Sequence, residues 1–423
     1  MPRRQDGGEA HLLLIGGGIA QQERIRSRFN GRVSVFCSAD IVTRLSVPDR
    51  NYIVLGFGKQ TDLNDWVEAA RQLDQRRRIT HVAGLSGRNL VEFAAVAAAL
   101  GLVGPDLGAA QIVENKLQMR QLLMREHIDT VAAFEAKDIE SASCIAAQVG
   151  FPLIVKPNTG VASRGVSRVD CIEELEEAIA WARRGTSTGM GADYQLPEKL
   201  IIEPLLTGIE YSVDSLSEGG VHRTVCIGQK VVDERHFVEL GHSIPALLDE
   251  NAKERIERFV VNVLTTLGVH DGLSHTEVID TGDRVSLIET HLRPGGDRIH
   301  DAFTLATGVD LIDLRIDQML GESVLEKLDH QLRAVAVNHK HSMIRFGPIP
   351  PSGRLVSIEG LERARRLPFV AKAEQIAPTG ADFSRSYGSG VRPYLILVCA
   401  DTPEEAEATA QEAESLITVR MLD

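Results

Sequence analysis

Glu289-Thr290-His291-Leu292-Arg293-Pro294-Gly295-Gly296-Asp297 is the stretch on which the reading of this chain turns. The apolar run Val285 to Ile288 precedes it, so Glu289 falls at the end of an expected strand. Glu277 closes the preceding apolar-polar run, and Thr281-Gly282-Asp283 reads as the turn between the two. A hairpin of this kind aims Glu277 and Glu289 at one point. Paired hard oxygen ligands beside an arginine and a Gly-Gly turn suit Mg²⁺ and phosphate. Two solvent-facing strand acids would read the same way, so the rest of the chain has to decide.

At 423 residues the chain is too long for one ordinary core, and two to four domains or subdomains are expected. Its 43% hydrophobic and 25% charged content is that of a globular protein. A net charge of −13 and a pI near 5.5 argue against nucleic-acid binding, which needs a broad basic face. A phosphate site needs only a few Lys or Arg. Cys37, Cys144, Cys171, Cys226 and Cys399 lack CxxC spacing, so neither a disulfide framework nor a zinc site is expected. They read as small apolar residues in a reducing cytoplasm. The run Leu12 to Ile15 is too short for a signal segment, and no stretch approaches the roughly 20 apolar residues of a membrane helix.

Strands are expected at His11 to Ile15, Val33 to Cys37, Asn51 to Phe57 and Ile79 to Leu85, alternating with helices at 20–29, 66–73 and 89–100. That alternation implies a doubly wound parallel sheet in residues 1–110. Gly16-Gly17-Gly18 follows the first strand, but Gln21 fills the last glycine place of a GxGxxG fingerprint, which disfavours a nicotinamide cofactor. One helix is expected from Ala109 to Glu126, carrying Lys116. Residues 186–197 read as a mobile loop, and Lys230 to Leu248 as irregular. Helices are expected at 251–267 and 308–320, and short strands with one acidic helix, Pro403 to Ile417, complete a mixed α/β cap over 331–423.

Lys156 ends an apolar strand and precedes the small-residue loop Asn158 to Gly165, with Gly160 and Ser163 inside it. Backbone N–H groups of such a loop can approach phosphate oxygens while the ammonium neutralises them. No GKS or GKT follows, so this is not a Walker A loop; a plain turn between hairpin strands is the competing reading. Glu203-Pro204-Leu205-Leu206-Thr207-Gly208-Ile209-Glu210 is a short linker with an acid at either end. It can present backbone groups to an adenine edge and a carboxylate to ribose, or simply be a solvated connection.

The order of these pieces, Lys116, Lys156 with its loop, the linker Glu203 to Glu210, then Glu277, Glu289 and Arg293, resembles the ATP-grasp superfamily over roughly residues 110–300. The resemblance implies an ATP-grasp fold in two lobes over 111–330, with a hinge near 203–210, after an N-terminal α/β domain. It implies that Lys116 and Lys156 hold ATP phosphates and that the Gly160–Gly165 loop, Ser163 included, closes over them. Glu203 to Leu206, through Leu205, would meet adenine and Glu210 the ribose. Glu277 and Glu289 would ligate Mg²⁺, and Arg293 would stabilise the transferred phosphoryl and the tetrahedral intermediate. Many members carry Asn two residues after the second metal acid. Here that place is His291, a poor ligand for Mg²⁺ that would suit Mn²⁺ better or serve the substrate.

Within the superfamily, Arg293-Pro294-Gly295-Gly296-Asp297 and Phe237 to Ala246 look most like the amino-acid ligases that make dipeptides and related amides. The resemblance implies activation of a carboxylate as an acyl phosphate and attack by an amine, with ADP and phosphate released. His236 and His242 would bind a substrate carboxylate or assist amine deprotonation, or make ordinary polar contacts. Gly295 and Gly296 would let the backbone approach the intermediate. Small-molecule carboxylate and amine substrates, no nucleic acid and no membrane are implied, and homodimers are common in the superfamily. A carboxylating or purine-pathway ligase uses the same ATP parts, though no Met-Lys-Met biotin site is present. A nucleotide-binding regulatory protein is the non-enzyme alternative, opposed by the presence of both lysines, both acids and Arg293.

Overall fold

Four apolar runs at the start of the chain assemble side by side in a parallel sheet. Its order is Asn51–Phe57, Arg32–Ser38, His11–Ile15, His81–Ala83. His11–Ile15 is buried along its whole length, as expected of a strand with neighbours on both sides and helices packed around it. The computed structural model describes residues 9–42, 51–58, 61–160, 162–185, 199–335, 340–350, 352–383, 389 and 392–422. The loop expected to be mobile, 186–197, lies outside the described residues.

The single helix expected from Ala109 to Glu126 is two helices, Leu107–Val113 and Lys116–Arg125. The break is local chemistry. Asn115 leaves helical geometry, and its side chain accepts from the Gln118 N–H, which makes it an N-cap. Lys116 thereby starts the second helix, where its own N–H donates to the Asn158 carbonyl at 3.2 Å.

A second, antiparallel sheet has the order Phe134–Ala136, Leu200–Pro204, Leu153–Pro157, Ser167–Val169. The helices Ile139–Val149 and Leu175–Gly185 share its apolar core, in which Ala142, Ala146, Leu153, Leu175 and Ala182 are buried. A third sheet has eight strands, all antiparallel. Its order is Val285–His291, Gly272–Asp280, Ile209–Glu218, Val221–Val232, Glu239–Ile244, His341–Phe346, Tyr394–Ala400, Val370–Gln375.

The strand Glu239–Ile244 corrects the expectation of irregular chain over 230–248. Its buried side chains include Glu239 and His242, so no apolar alternation announces it. It pairs directly with His341–Phe346, so one sheet continues across residue 331. Helices not expected from the sequence occupy Ile299–Thr307 and Leu325–Val335. Among the described residues no helix is long and apolar enough to cross a membrane.

Candidate functional site

The two acids of the expected hairpin do meet. Glu277 and Glu289 are direct cross-strand partners in the hairpin Gly272–Asp280 / Val285–His291. Beyond that pair the register slips, because Val278 faces Leu287 and Ile288 is the extra residue of a β-bulge. A bulge frees backbone groups from the ladder, and buried ones need other partners. The Leu287 N–H donates to Asp129 Oδ2 at 2.8 Å, and the Ile288 carbonyl accepts from Arg120 Nη2 at 3.2 Å. The bulge is thus fixed by two charged side chains, one on the helix Lys116–Arg125 and one in the turn after it.

The hairpin forms one wall of a cleft. The antiparallel four-stranded sheet and the loop after Pro157 form the other. Lys116, Lys156, Gly160, Ser163, Glu203, Leu205, Glu210, Glu277 and Glu289 all line it. The Lys116 ammonium lies 2.7 Å from Glu289 and donates to the Gly160 carbonyl at 2.9 Å. Lys156 lies 2.7 Å from Glu203. Arg120, four residues after Lys116 and on the same helix face, grips the same Glu203 through Nε and Nη2 at 2.9 and 3.2 Å. Burial alone would raise the Glu203 carboxyl, but the Arg120 and Lys156 cations outweigh it and hold it at about 2.

Lys230, almost wholly buried, touches Glu210, lies 2.9 Å from Glu277 and 3.8 Å from Glu239. Burial works against its charge, yet these carboxylates keep it protonated well above the ordinary lysine range. Burial pushes Glu210 up to about 6, against the pull of Lys230 and with the help of Glu277. Glu277 also bonds His275, whose Nε2 lies 3.4 Å away and whose Nδ1 is 3.0 Å from Asp214. Despite burial, Asp214 and Glu277 lift that imidazole to about 9. His291 is not a free ligand, since its Nε2 bonds Glu289 Oε1 at 3.0 Å, and burial lowers its pKa.

Four sequence candidates stand outside the cleft lining. Gly165 (φ +74°) lies behind the loop, where a Cβ would come within 2.9 Å of the Ala182 backbone. Arg293 donates to its own Pro294 carbonyl at 2.8 Å and turns toward Gly87 in a smaller neighbouring cavity. Gly296 caps the turn before the helix Ile299–Thr307, its carbonyl accepting from the Ile299 N–H at 2.9 Å. The next two residues, Asp297 and Arg298, both take left-handed conformations (φ +54° and +66°). His242 is buried in the eight-stranded sheet, with Nε2 3.2 Å from Asp297 Oδ2. Arg392 clamps that carboxylate through both terminal nitrogens, at 2.7 and 2.5 Å, and lies over the Phe346 ring. His236 stacks on Trp181 and bonds the Val166 carbonyl, an ordinary packing role.

Sequence reasoning passed over Arg120, Asp129, Lys230, His275 and Arg392. Only Arg120 left a readable signal, its four-residue spacing from Lys116. Lys230 sits at the start of the segment read as irregular, and Arg392 is nearly a hundred residues from the acid it holds.

Residues 149–301 match the ATP-grasp domain family, and residues 345–421 match L-amino acid ligase C-terminal domain 2. The chain is 24% identical to a phosphoribosylamine–glycine ligase of Methanocaldococcus jannaschii, covering 96% of this chain and 93% of that protein. It is 26% identical to an alanine–anticapsin ligase of Bacillus subtilis, over 52% of this chain and 49% of the relative. The L-amino acid ligase of Bacillus licheniformis superposes with a TM-score of 0.77 over 98% of this chain and 100% of its own, at 23% identity. The ATP-grasp fold expected from the order of motifs is therefore borne out, and the match at 345–421 agrees with the amino-acid-ligase likeness.

Proposed function

We propose that this chain, an ATP-grasp domain joined to an L-amino acid ligase C-terminal domain, is an ATP-dependent ligase that joins a carboxylate to an amine. The carboxylate is that of an amino acid and the product is a dipeptide or related amide. The observation that carries this reading is the meeting of Glu277 and Glu289 across the bulge, in one cleft with Lys116 and Lys156.

A carboxylate is a poor electrophile, because its charge is delocalised and oxide is its leaving group. In the proposed reaction a carboxylate oxygen attacks the γ-phosphorus of ATP, and the bond to ADP breaks. The amine nitrogen then attacks the acyl carbon, inorganic phosphate leaves with the bonding pair, and the nitrogen loses a proton. Lys116 and Lys156 neutralise phosphate charge during the first step. The linker Pro204 to Leu206 borders the adenine end, and Glu210 meets the ribose. Arg293 swings from the Pro294 carbonyl to meet the oxyanion, with Gly296 at the turn beside it. In this reading His242, bonded to Asp297, would assist amine deprotonation.

Glu277 and Glu289 would hold Mg²⁺. The donors fit, because Mg²⁺ is bound by one or two carboxylates with substrate phosphates completing the shell. Bound there, the ion would neutralise charge on the phosphate oxygens.

The corresponding division of labour is an N-terminal α/β part (1–110), a two-lobed nucleotide clamp (111–330) and a cap (331–423) that completes the substrate pocket. A purine-pathway-type ligase is the second reading, favoured by the near full-length likeness to phosphoribosylamine–glycine ligase. The test is phosphate release from ATP with Mg²⁺ across pairs of amino acids, with phosphoribosylamine plus glycine as a separate arm and nucleotide products resolved. ADP and an amide appearing only with an amino-acid pair is the expected result. Glu289→Ala and Arg293→Ala should each lower turnover at least about a hundredfold while the protein stays folded. AMP with pyrophosphate, or near-normal turnover in both variants, would sink the assignment.

A further inference from the structure

The loop at the phosphate end of the cleft is held from two sides. Ala162 and Ser163 stand in succession in left-handed conformations, at φ +63° and +53°. Two adjacent residues with side chains are costly there, and they persist only where the surroundings impose them. One support lies inside the clamp, where Lys116 Nζ donates to the Gly160 carbonyl at 2.9 Å. The other comes from the C-terminal part of the chain, where the Ser389 N–H donates to the Ala162 carbonyl at 3.0 Å. Ser389 falls within the stretch that matches the L-amino acid ligase C-terminal domain.

Ser389 is itself fixed. It is 2% exposed, and its hydroxyl donates to the Glu239 carboxylate. The Glu239 carbonyl accepts from Arg392 Nη1 at 3.2 Å, and the same guanidinium grips Asp297 on the turn after the hairpin. On its other side the Glu239 carboxylate is 3.8 Å from Lys230, which lies 2.9 Å from Glu277. Neither Ser389 nor Glu239 is among the described residues that line the cleft. Ser389 therefore reaches the loop from behind, and its anchor belongs to the same charged cluster as Glu277.

We propose that Ser389 is a positioning residue: its N–H latches the Gly160–Gly165 loop over the phosphates, and its hydroxyl bond to Glu239 keeps that N–H in place. The purpose of the latch rests on the ligase reading above. Water that reaches an acyl phosphate hydrolyses it, so the loop has to stay shut until the amine attacks. Afterwards it has to open and release ADP. A single hydrogen bond to a main-chain carbonyl suits both needs, because its net strength is small enough to be broken in each cycle.

The test is hydrogen–deuterium exchange of the full chain read by mass spectrometry, without nucleotide and with ADP and Mg²⁺. In the nucleotide-free protein, Ser389→Ala should speed exchange in the peptide carrying Ala162 to Gly165 by about fivefold, the factor expected for one net hydrogen bond. Ser389→Thr, which keeps the hydroxyl, should restore the parent rate. In the unmutated protein, ADP with Mg²⁺ should slow the peptide carrying Ser389 together with the loop peptide. Stopped-flow release of ADP should be about fivefold faster from Ser389→Ala, with the nucleotide-free melting point unmoved. Unaltered loop exchange or ADP release in Ser389→Ala, threonine exchanging as fast as alanine, or a lowered melting point would each overturn the proposal. So would ADP that slows the loop peptide alone, which leaves the nucleotide clamp standing; ADP that slows neither peptide would overturn both. The comparison of the two peptides uses the unmutated protein, so it stands even if Ser389→Ala fails to fold. No amide formation is read, so failure of the latch is separable from failure of the ligase chemistry.

Discussion

Glu203 shows what a single side chain does here. Its carboxylate is shared by Arg120 and Lys156 and is held at about 2, against an ordinary value of 4.5. A depressed carboxyl contributes stability above its unfolded pKa, and that contribution is lost as pH falls from about 4.5 through about 2. The shift corresponds to about 3 kcal/mol. Glu203→Gln should therefore cost on the order of 3 kcal/mol at pH 7, and the gap to the parent protein should narrow toward pH 3. Urea midpoints at the two pH values decide it, because a gap independent of pH would mean that the ion cluster is not responsible. The residue type was legible in the sequence, as an acid bounding a linker. Its partners were not, since Arg120 lies 83 residues away and Lys156 had been matched to phosphate alone.

Among the elements, the bulged hairpin matters most for the site. Two strands and a Thr-Gly-Asp turn were legible because period-two apolar spacing and turn residues are local signals. The bulge itself was not, because nothing in Val285 to Ile288 distinguishes a paired residue from an extra one. Asp129 is the element's outside support, taking the Leu287 N–H and lying 3.4 Å from Arg120. Asp129→Ala should destabilise the protein by about 2 kcal/mol, since a buried donor and a buried guanidinium lose a partner together. It should lower turnover as well, because Glu289 follows the bulge directly. Thermal melts and steady-state rates check both parts; a stable variant with full activity would show that the bulge holds itself. The split between Leu107–Val113 and Lys116–Arg125 follows the same logic, for the break is made by Asn115, whose side chain accepts from the Gln118 N–H.

For the whole molecule, the cleft lies between two sheets, and like charges are packed into it. Glu210, Glu277 and Glu239 surround one ammonium, Lys230. A nucleotide with its cation should relieve such crowding and hold the two sheets together. ADP with Mg²⁺ at about a hundred times its Kd should stabilise the chain by about 2.7 kcal/mol. Chelation by EDTA should remove most of that gain in a melting experiment. A melting point unmoved by nucleotide would contradict the proposed clamp, and an EDTA-insensitive shift would contradict the metal role of Glu277 and Glu289.

At that same scale the division between sequence and structure becomes plain. The sequence by itself determined the parallel start of the chain, the hairpin of Glu277 and Glu289, the lysine-bearing loop and the order of motifs that resembles ATP-grasp proteins. Each strand, turn and motif among these is carried by neighbours within about a dozen residues, where periodicity and turn chemistry are local; their order needs only the chain's direction. Only the tertiary structure decided which cations face which acids, that Glu239–Ile244 is a strand, and that Arg293 turns toward Gly87. Those outcomes depend on partners from distant elements, because a buried charge is defined by what surrounds it in space and not by its place along the chain.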